Sequence, residues 1–149
     1  MKIALAADHA GFKIKELVKS YLQNNSIESV DFGTHSAESM DYPDTAHPAT
    51  QSVVEKKCDR GIFVCGTGQG MQLVANKYPG IRAALCWNEE SAKMSRLHND
   101  ANILTIPGRY VDAEMAIKIV KTWLETEFEG GRHIRRIKKI HNPNFTDET

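Results

Sequence analysis

The sequence predicts a doubly wound, Rossmann-like α/β sandwich of three layers: a five-stranded parallel sheet, helices on both faces, and one further helix at the carboxyl end. Three observations carry this. Short apolar runs alternate with segments whose apolar residues recur at helical spacing. Each run stops at glycine, proline, or an Asp/Asn cluster. No run approaches the ~20 apolar residues of a membrane span. At 149 residues the chain reads as a single domain over 1–149, without repeat or linker.

The elements follow in order. Ile3–Ala7 is a first strand ending in Asp8-His9-Ala10-Gly11. From Phe12 the period becomes helical, with Ile14, Leu17, Val18, Tyr21 and Leu22 on one face and Lys13, Lys15, Glu16 and Lys19 largely on the other. Asn24-Asn25 ends that helix, 27–32 forms a second strand, and Gly33 marks its exit. The polar stretch Thr34–Asp44 leads through Asp41-Tyr42-Pro43 into a helix that opens near Pro43, carries Pro48 near its first turn, and runs to about Lys57. Arg60–Cys65 is a third strand running into Gly66-Thr67-Gly68-Gln69-Gly70, followed by a helix to about Lys77 and a Pro79-Gly80 stop. Ile81–Cys86 is the fourth strand. Asn88 caps the next helix, Glu89 and Glu90 suit its dipole, and it reaches His98-Asn99-Asp100. Asn102–Ile106 is the fifth strand, stopped by Pro107-Gly108. A helix from about Asp112 to Glu127 offers Met115, Ile119, Val120, Trp123 and Leu124 as apolar contacts. Glu129-Gly130-Gly131 breaks it, Arg132–Ile140 is a last basic helix, and 141–149 reads as a loose tail.

Nineteen basic and nineteen acidic residues cancel, which argues against a nucleic-acid-gripping protein. The balance is uneven, because the last eighteen residues hold five of the basic groups and two of the acidic ones. Three cysteines, Cys58, Cys65 and Cys86, form an odd set without CxxC spacing. They fit a reducing cytoplasm and disfavour a disulfide framework or zinc knuckle. Neither a membrane nor a nucleic acid is an expected partner.

Open α/β sheets bind ligands beyond the carboxyl ends of their strands. Asp8-His9, Cys65-Gly66-Thr67-Gly68 and, after a helix, His98-Asn99 are therefore expected on one edge. The glycine loop can turn successive N–H groups onto an anion at a helix start. It lacks the Gly-Lys-Ser/Thr of a Walker loop, and its third glycine falls one place early for a dinucleotide fingerprint. Cys65 precedes those amides, so it reads as a thiolate stabilised by a helix amino terminus or as a small buried hydrophobe; Cys58 and Cys86 read as the latter. His35, His47 and His141 read as surface residues. His9 and His98 suit acid–base duty, since imidazole ordinarily titrates near neutrality, and a metal role is disfavoured because no second ligand lies at helical spacing. Arg132 and Arg136 are four apart and share a face able to grip a phosphate, or else form a solvated face beside Ile134, Ile137 and Ile140.

Six motifs in order resemble the type B ribose-5-phosphate isomerases: Asp8-His9-Ala10-Gly11; Asp41-Tyr42-Pro43; Cys65 to Gly70 with Ala75-Asn76-Lys77; Arg96-Leu97-His98-Asn99-Asp100; Gly108-Arg109; and Glu129-Gly130-Gly131-Arg132-His133. The resemblance covers residue 1 to about 140. It implies interconversion of ribose 5-phosphate and ribulose 5-phosphate, in the pentose phosphate pathway, without metal or organic cofactor. By the same resemblance Cys65 is the base, because Met71 stands where some members carry a glutamate. Thr67 and the amides from Gly66 to Gly70 hold the enediolate oxygen, and His98 assists ring opening. Asp8, Tyr42 and Asn99 place hydroxyls, while His9, Arg109, Arg132 and Arg136 bind the phosphate. The resemblance also implies a homodimer or homotetramer with sites shared between subunits. A hexose 6-phosphate of the allose or galactose type is the alternative substrate, and a non-enzymatic phosphometabolite-binding module the alternative function.

Overall fold

Strand residues of this chain alternate between two faces, and both faces are apolar, as a parallel sheet covered on both sides requires. The computed structural model describes residues 1–147. The chain runs β1 (Lys2–Ala7), α1 (Phe12–Asn24), β2 (Glu28–Asp31), α2 (Pro43–Val54), β3 (Arg60–Cys65), α3 (Gln69–Ala75), β4 (Ala83–Leu85), α4 (Glu89–Asn99), β5 (Ile103–Pro107), α5 (Ala113–Glu125) and α6 (Arg132–His141). The five strands are parallel in the order β2-β1-β3-β5-β4. The expected architecture is thus observed.

Ile3, Leu5, Ile62, Val64, Leu104 and Ile106 point to one face, where Val18 and Leu22 of α1, Ala92 of α4, and Ala116, Ile119 and Trp123 of α5 cover them. Ala4, Ala6, Phe63, Cys65 and Ile103 point to the other, against Ala46, Ala49 and Val53 of α2 and Met71 and Ala75 of α3. The chain leaves β1 toward β2 on one side, whereas from β3 it crosses toward β5 and β4 on the other. The carboxyl ends of β1 and β3, in register at Ala7 and Val64, therefore flank the topological switch point.

Several boundaries differ from expectation. β4 shrinks to three residues because it lies at the sheet edge, where only β5 pairs with it. Asn76 of the α3 end takes over as its outer partner: its side chain accepts from Ala83 N at 2.8 Å and donates to Ala83 O at 3.0 Å. α2 stops at Val54 and α3 at Ala75, each earlier than read from the sequence. Pro48 is accommodated inside α2. Leu17, expected on the apolar face of α1, is exposed, and Lys15, expected on the polar face, is fully buried. Lys15 lies three and seven residues before Val18 and Leu22, on the buried face, and its stem carries the ammonium through to Asp31 at 2.8 Å.

The tail is less loose than expected. Asn142–Phe145 forms a turn, and Lys138 lies 5.2 Å over the Phe145 ring, a cation–π contact. Residues 148–149 lie outside the described residues. Among the described residues no helix is long and apolar enough to cross a membrane.

Candidate active site

At the switch point β3 ends in Cys65, whose side chain faces α2 and α3 and is 4% exposed. Gly108 N donates to Cys65 O at 2.8 Å and Arg109 N to Gly66 O at 3.0 Å, tying the β5 exit to the glycine loop. The Arg109 side chain lies against Gly66, where an added Cβ would sit 3.0 Å from its Nη1. Gly68 is the cap residue before α3, with φ +74°, a conformation that glycine adopts without steric cost. Thr67 Oγ1 accepts from Gln69 N at 3.2 Å. Beyond Gln69, the first-turn N–H groups of α3 have no intrahelical acceptor, so an anion can take them.

The neighbouring wall comes from β1 and the α2 entry. Asp8 is 7% exposed and accepts from Gly11 N at 3.0 Å, which fixes the turn into α1. His9 Nδ1 accepts from Met40 N at 3.2 Å, leaving Nε2 to carry the proton of a neutral ring. The Tyr42 ring lies against Gly70, where a Cβ would approach Tyr42 Cζ to 2.6 Å. Asp8, His9, Met40, Asp41, Tyr42, Pro43 and Asp44 line a cleft of about 490 Å³. The structure thus brings Asp8, His9, Cys65, Gly66 and Thr67 to one edge, as expected, and sets Tyr42, Gly70 and Arg109 beside them.

His98 and Asn99 are not there, which corrects the expectation of a single edge, and Arg132 and Arg136 lie away from it as well. α4 starts beyond the carboxyl end of β4 and runs antiparallel to the strands, so its eleven residues carry the chain about 16 Å back toward the amino edge. His98 and Asn99 end that helix beside the start of β5. Arg82, just before β4, holds this corner, donating through Nε to Asn99 O at 2.9 Å and through Nη2 to Asp100 O at 2.8 Å. Its Nη1 donates to His141 Nε2 at 2.9 Å, which joins the last turn of α6 to the same corner. Burial, with the Arg82 charge adding to it, holds His141 below its ordinary pKa. Asn99 lines a separate cavity of about 390 Å³ with Gln72, Asn76, Arg82 and Ile140.

Two residues at this corner escaped sequence reasoning. His133 is 4% exposed, and its ring stacks on His98 with centroids 4.4 Å apart and planes 17° from parallel. Glu129 Oε2 lies 3.2 Å from His133 Nε2 and 3.7 Å from His98 Nε2. Glu129 N donates to Leu97 O at 3.1 Å, so the carboxylate is held in register with His98. The four-residue spacing of Glu129 and His133 was a signal for their pairing; their approach to His98 is tertiary. Arg132 and Arg136 are exposed on α6.

The remaining cysteines behave as small hydrophobes. Cys58 and Cys86 are 2% and 1% exposed, and burial pushes the Cys86 thiol up to about 11, against the Ser95 and Ser91 hydroxyls. His35, His47 and His141 are exposed, as expected. One edge therefore offers a thiol, a buried carboxylate and helix-start amides, and the other an imidazole pair with two exposed guanidiniums.

Comparison with known proteins agrees over nearly the whole chain. The family model described as Ribose/Galactose Isomerase matches residues 3–140. Ribose-5-phosphate isomerase B of Escherichia coli is 43% identical over 139 residues, 93% of this chain and 93% of that protein. A structure of ribose-5-phosphate isomerase B from Clostridium thermocellum superimposes with TM-score 0.94 at 49% identity, covering 96% of this chain and 97% of the other. The crystal structure of ribose-5-phosphate isomerase B from Mycoplasma genitalium with bound ribulose 5-phosphate gives TM-score 0.92 at 39% identity, with 95% of each chain covered.

Proposed function

Since this chain belongs to the ribose/galactose isomerase family, we propose that it interconverts D-ribose 5-phosphate and D-ribulose 5-phosphate through an enediolate, with Cys65 as the base. The observation that carries the reading is the position of Cys65, at the switch-point end of β3 and directly before the loop that opens α3. Met71, at the position where a glutamate could serve instead, is fully buried and has no basic atom.

The Cys65 thiolate takes the C2 proton of the open-chain aldose and returns it to C1, while a hydroxyl proton passes from O2 to O1. Negative charge develops on oxygen between the two transfers. Helix-start amides and Thr67 answer that charge, and fixed dipoles of this kind commonly supply most of the rate enhancement in such reactions. Asp8 and Tyr42 hold hydroxyls. His9 and Arg109, with Arg132 and Arg136, grip the phosphate, whose binding energy holds the reacting carbons in place. His98 assists opening of the furanose by protonating the ring oxygen as the O1 hydroxyl proton leaves, and Asn99 holds a hydroxyl beside it.

These roles require two copies, because Cys65 and His98 lie at opposite edges of one chain. The working unit is a homodimer, or a tetramer built from such dimers, in which the His98 end of one copy closes over the Cys65 edge of the other. Trp87 and Tyr110, beyond the carboxyl ends of β4 and β5, are 59% and 75% exposed and supply apolar surface for that contact. Buried, unpaired cysteines support a reducing, cytoplasmic setting.

The test is conversion of ribose 5-phosphate to ribulose 5-phosphate by purified protein in the presence of a chelator, with Cys65→Ala alongside. Turnover by the wild type and none by the variant supports the reading. Turnover only on allose or galactose 6-phosphate reassigns the substrate, and normal turnover by Cys65→Ala removes the base.

A further inference from the structure

His98 ends α4 with its side chain 40% exposed, a setting in which an imidazole ordinarily moves among several rotamers. Here it rests on a second ring. His133, from the first turn of α6, lies against it with centroids 4.4 Å apart and planes 17° from parallel. Aromatic rings at such separations attract one another beyond the area they bury. His133 is buried, so packing holds its ring in place and His98 meets one fixed, flat face.

That face is itself oriented. Glu129 Oε2 lies 3.2 Å from His133 Nε2, and because a carboxylate only accepts, this nitrogen carries the proton and a ring flip loses the bond. Glu129 N donates to Leu97 O at 3.1 Å, one residue before His98, so the same loop grips the end of α4. Gly130 and Gly131, at φ +73° and +59°, turn the chain between Glu129 and His133. At the far end of α6, His141 Nε2 accepts from Arg82 Nη1 at 2.9 Å, while Arg82 Nε donates to Asn99 O at 2.9 Å. Both ends of α6 are thus fastened to the end of α4. His98 Nε2 stands 3.7 Å from Glu129 Oε2, beyond hydrogen-bond distance, so the carboxylate does not consume that nitrogen.

We propose that His133 and Glu129 are positioning residues for His98: the Glu129 carboxylate orients the His133 ring, and that ring holds the His98 imidazole at the angle its work on the sugar requires. The proposal rests on the reading that His98 opens the furanose. Neither positioning residue touches the reacting atoms in this role. Misplacing a reacting group by about 1 Å costs up to roughly a hundredfold in rate, so a half-exposed acid–base side chain gains most from such a support.

The test compares ribose 5-phosphate with 4-deoxy-D-ribose 5-phosphate, an aldose that lacks the hydroxyl needed to close a furanose and is therefore always open. Both sugars carry the same phosphate and the same reacting carbons. Damage to folding, to the Cys65 edge, or to Arg132 and Arg136 therefore lowers kcat/KM for both alike. Glu129→Ala, at a half-exposed position, and His133→Ala are expected to lower kcat/KM about ten- to hundredfold for ribose 5-phosphate and less than about threefold for the open analogue. Glu129→Gln, whose amide oxygen still accepts from His133 Nε2, is expected to recover most of the loss. Equal losses on the two sugars, or no loss on either, overturn the positioning role. A Glu129→Gln variant as impaired as Glu129→Ala overturns the hydrogen bond as its means. His98→Asn is the reference: without a selective loss there, the ring-opening reading falls and the proposal with it. A selective loss in His98→Asn that neither Glu129→Ala nor His133→Ala shares overturns the proposal alone.

Discussion

Replacing Lys15 with methionine removes the one fully buried charge of α1 while keeping most of its apolar stem. Lys15 Nζ donates to both Asp31 oxygens at 2.8 Å and to Thr34 O at 2.6 Å. Asp31 in turn accepts from Gly33 N at 2.9 Å, so the pair fastens the β2 exit, from which the chain travels to Met40 and Tyr42 of the cleft. Breaking a buried pair by deleting one partner costs about 3–5 kcal/mol. Lys19 stays within 3.2 Å of Asp31 and keeps part of the compensation. A loss of about 3 kcal/mol is therefore expected, a fall in Tm of about 6–12 °C for a chain of this size. Burial pushes the Asp31 carboxyl up, but Lys15, the Gly33 N–H and Lys19 outweigh it and hold the group below its ordinary 3.8. A depressed carboxyl contributes stability that is fully present above its unfolded value and is lost as pH falls through the folded one. The difference between wild type and Lys15→Met should accordingly be full at neutral pH and shrink in acid as Asp31 protonates. Thermal melts across pH 7 to 3 read this directly. A difference under about 1 kcal/mol at neutral pH, the scale of a surface pair, or one that does not change in acid, would refute the reasoning.

Gly68→Ala places a side chain at φ +74° and drives its Cβ into the Leu85 methyl and to 3.1 Å from the Ile106 carbonyl carbon. Strain of about 1–2 kcal/mol and overpacking of about 1–3 kcal/mol should combine to a loss of about 2–5 kcal/mol in denaturant unfolding; a loss under about 1 kcal/mol would show that the loop yields freely. On the proposed phosphate role, Arg136→Ala deletes a charged hydrogen bond worth about 1.5–3 kcal/mol, so KM for the sugar phosphate should rise roughly ten- to hundredfold with kcat less affected. An unchanged KM takes Arg136 out of the phosphate site.

The strands and helices were readable because each apolar run has one period and ends at a distinct breaker. Trp123, Ile119 and Val120 are fully buried on the face that their spacing marks. Lys15 shows where such reading fails, since a long stem lets a charged residue occupy the apolar face and reach a carboxylate on another element. The cleft residues were legible because Asp8 and Cys65 each directly follow or end a strand, and strand ends in a parallel sheet share an edge. His98 was misplaced for a geometric reason: it ends a helix, and the helix had already carried the chain back across the sheet. Glu129 and His133 acquire their relation to His98 only when the turn at Gly130 and Gly131, both at positive φ, folds α6 onto the end of α4.

The separation of Cys65 from His98 makes the shared site the central claim, and subunit mixing tests it most directly. Cys65→Ala and His98→Asn, each inactive or severely impaired alone, are to be unfolded together, refolded, and assayed for ribulose 5-phosphate formation, with mixed dimers verified by mass. A mixed two-fold dimer carries one intact site and one doubly altered site, so statistical mixing should restore roughly one quarter of wild-type turnover. Verified mixed dimers that recover no activity would contradict a site built from two copies.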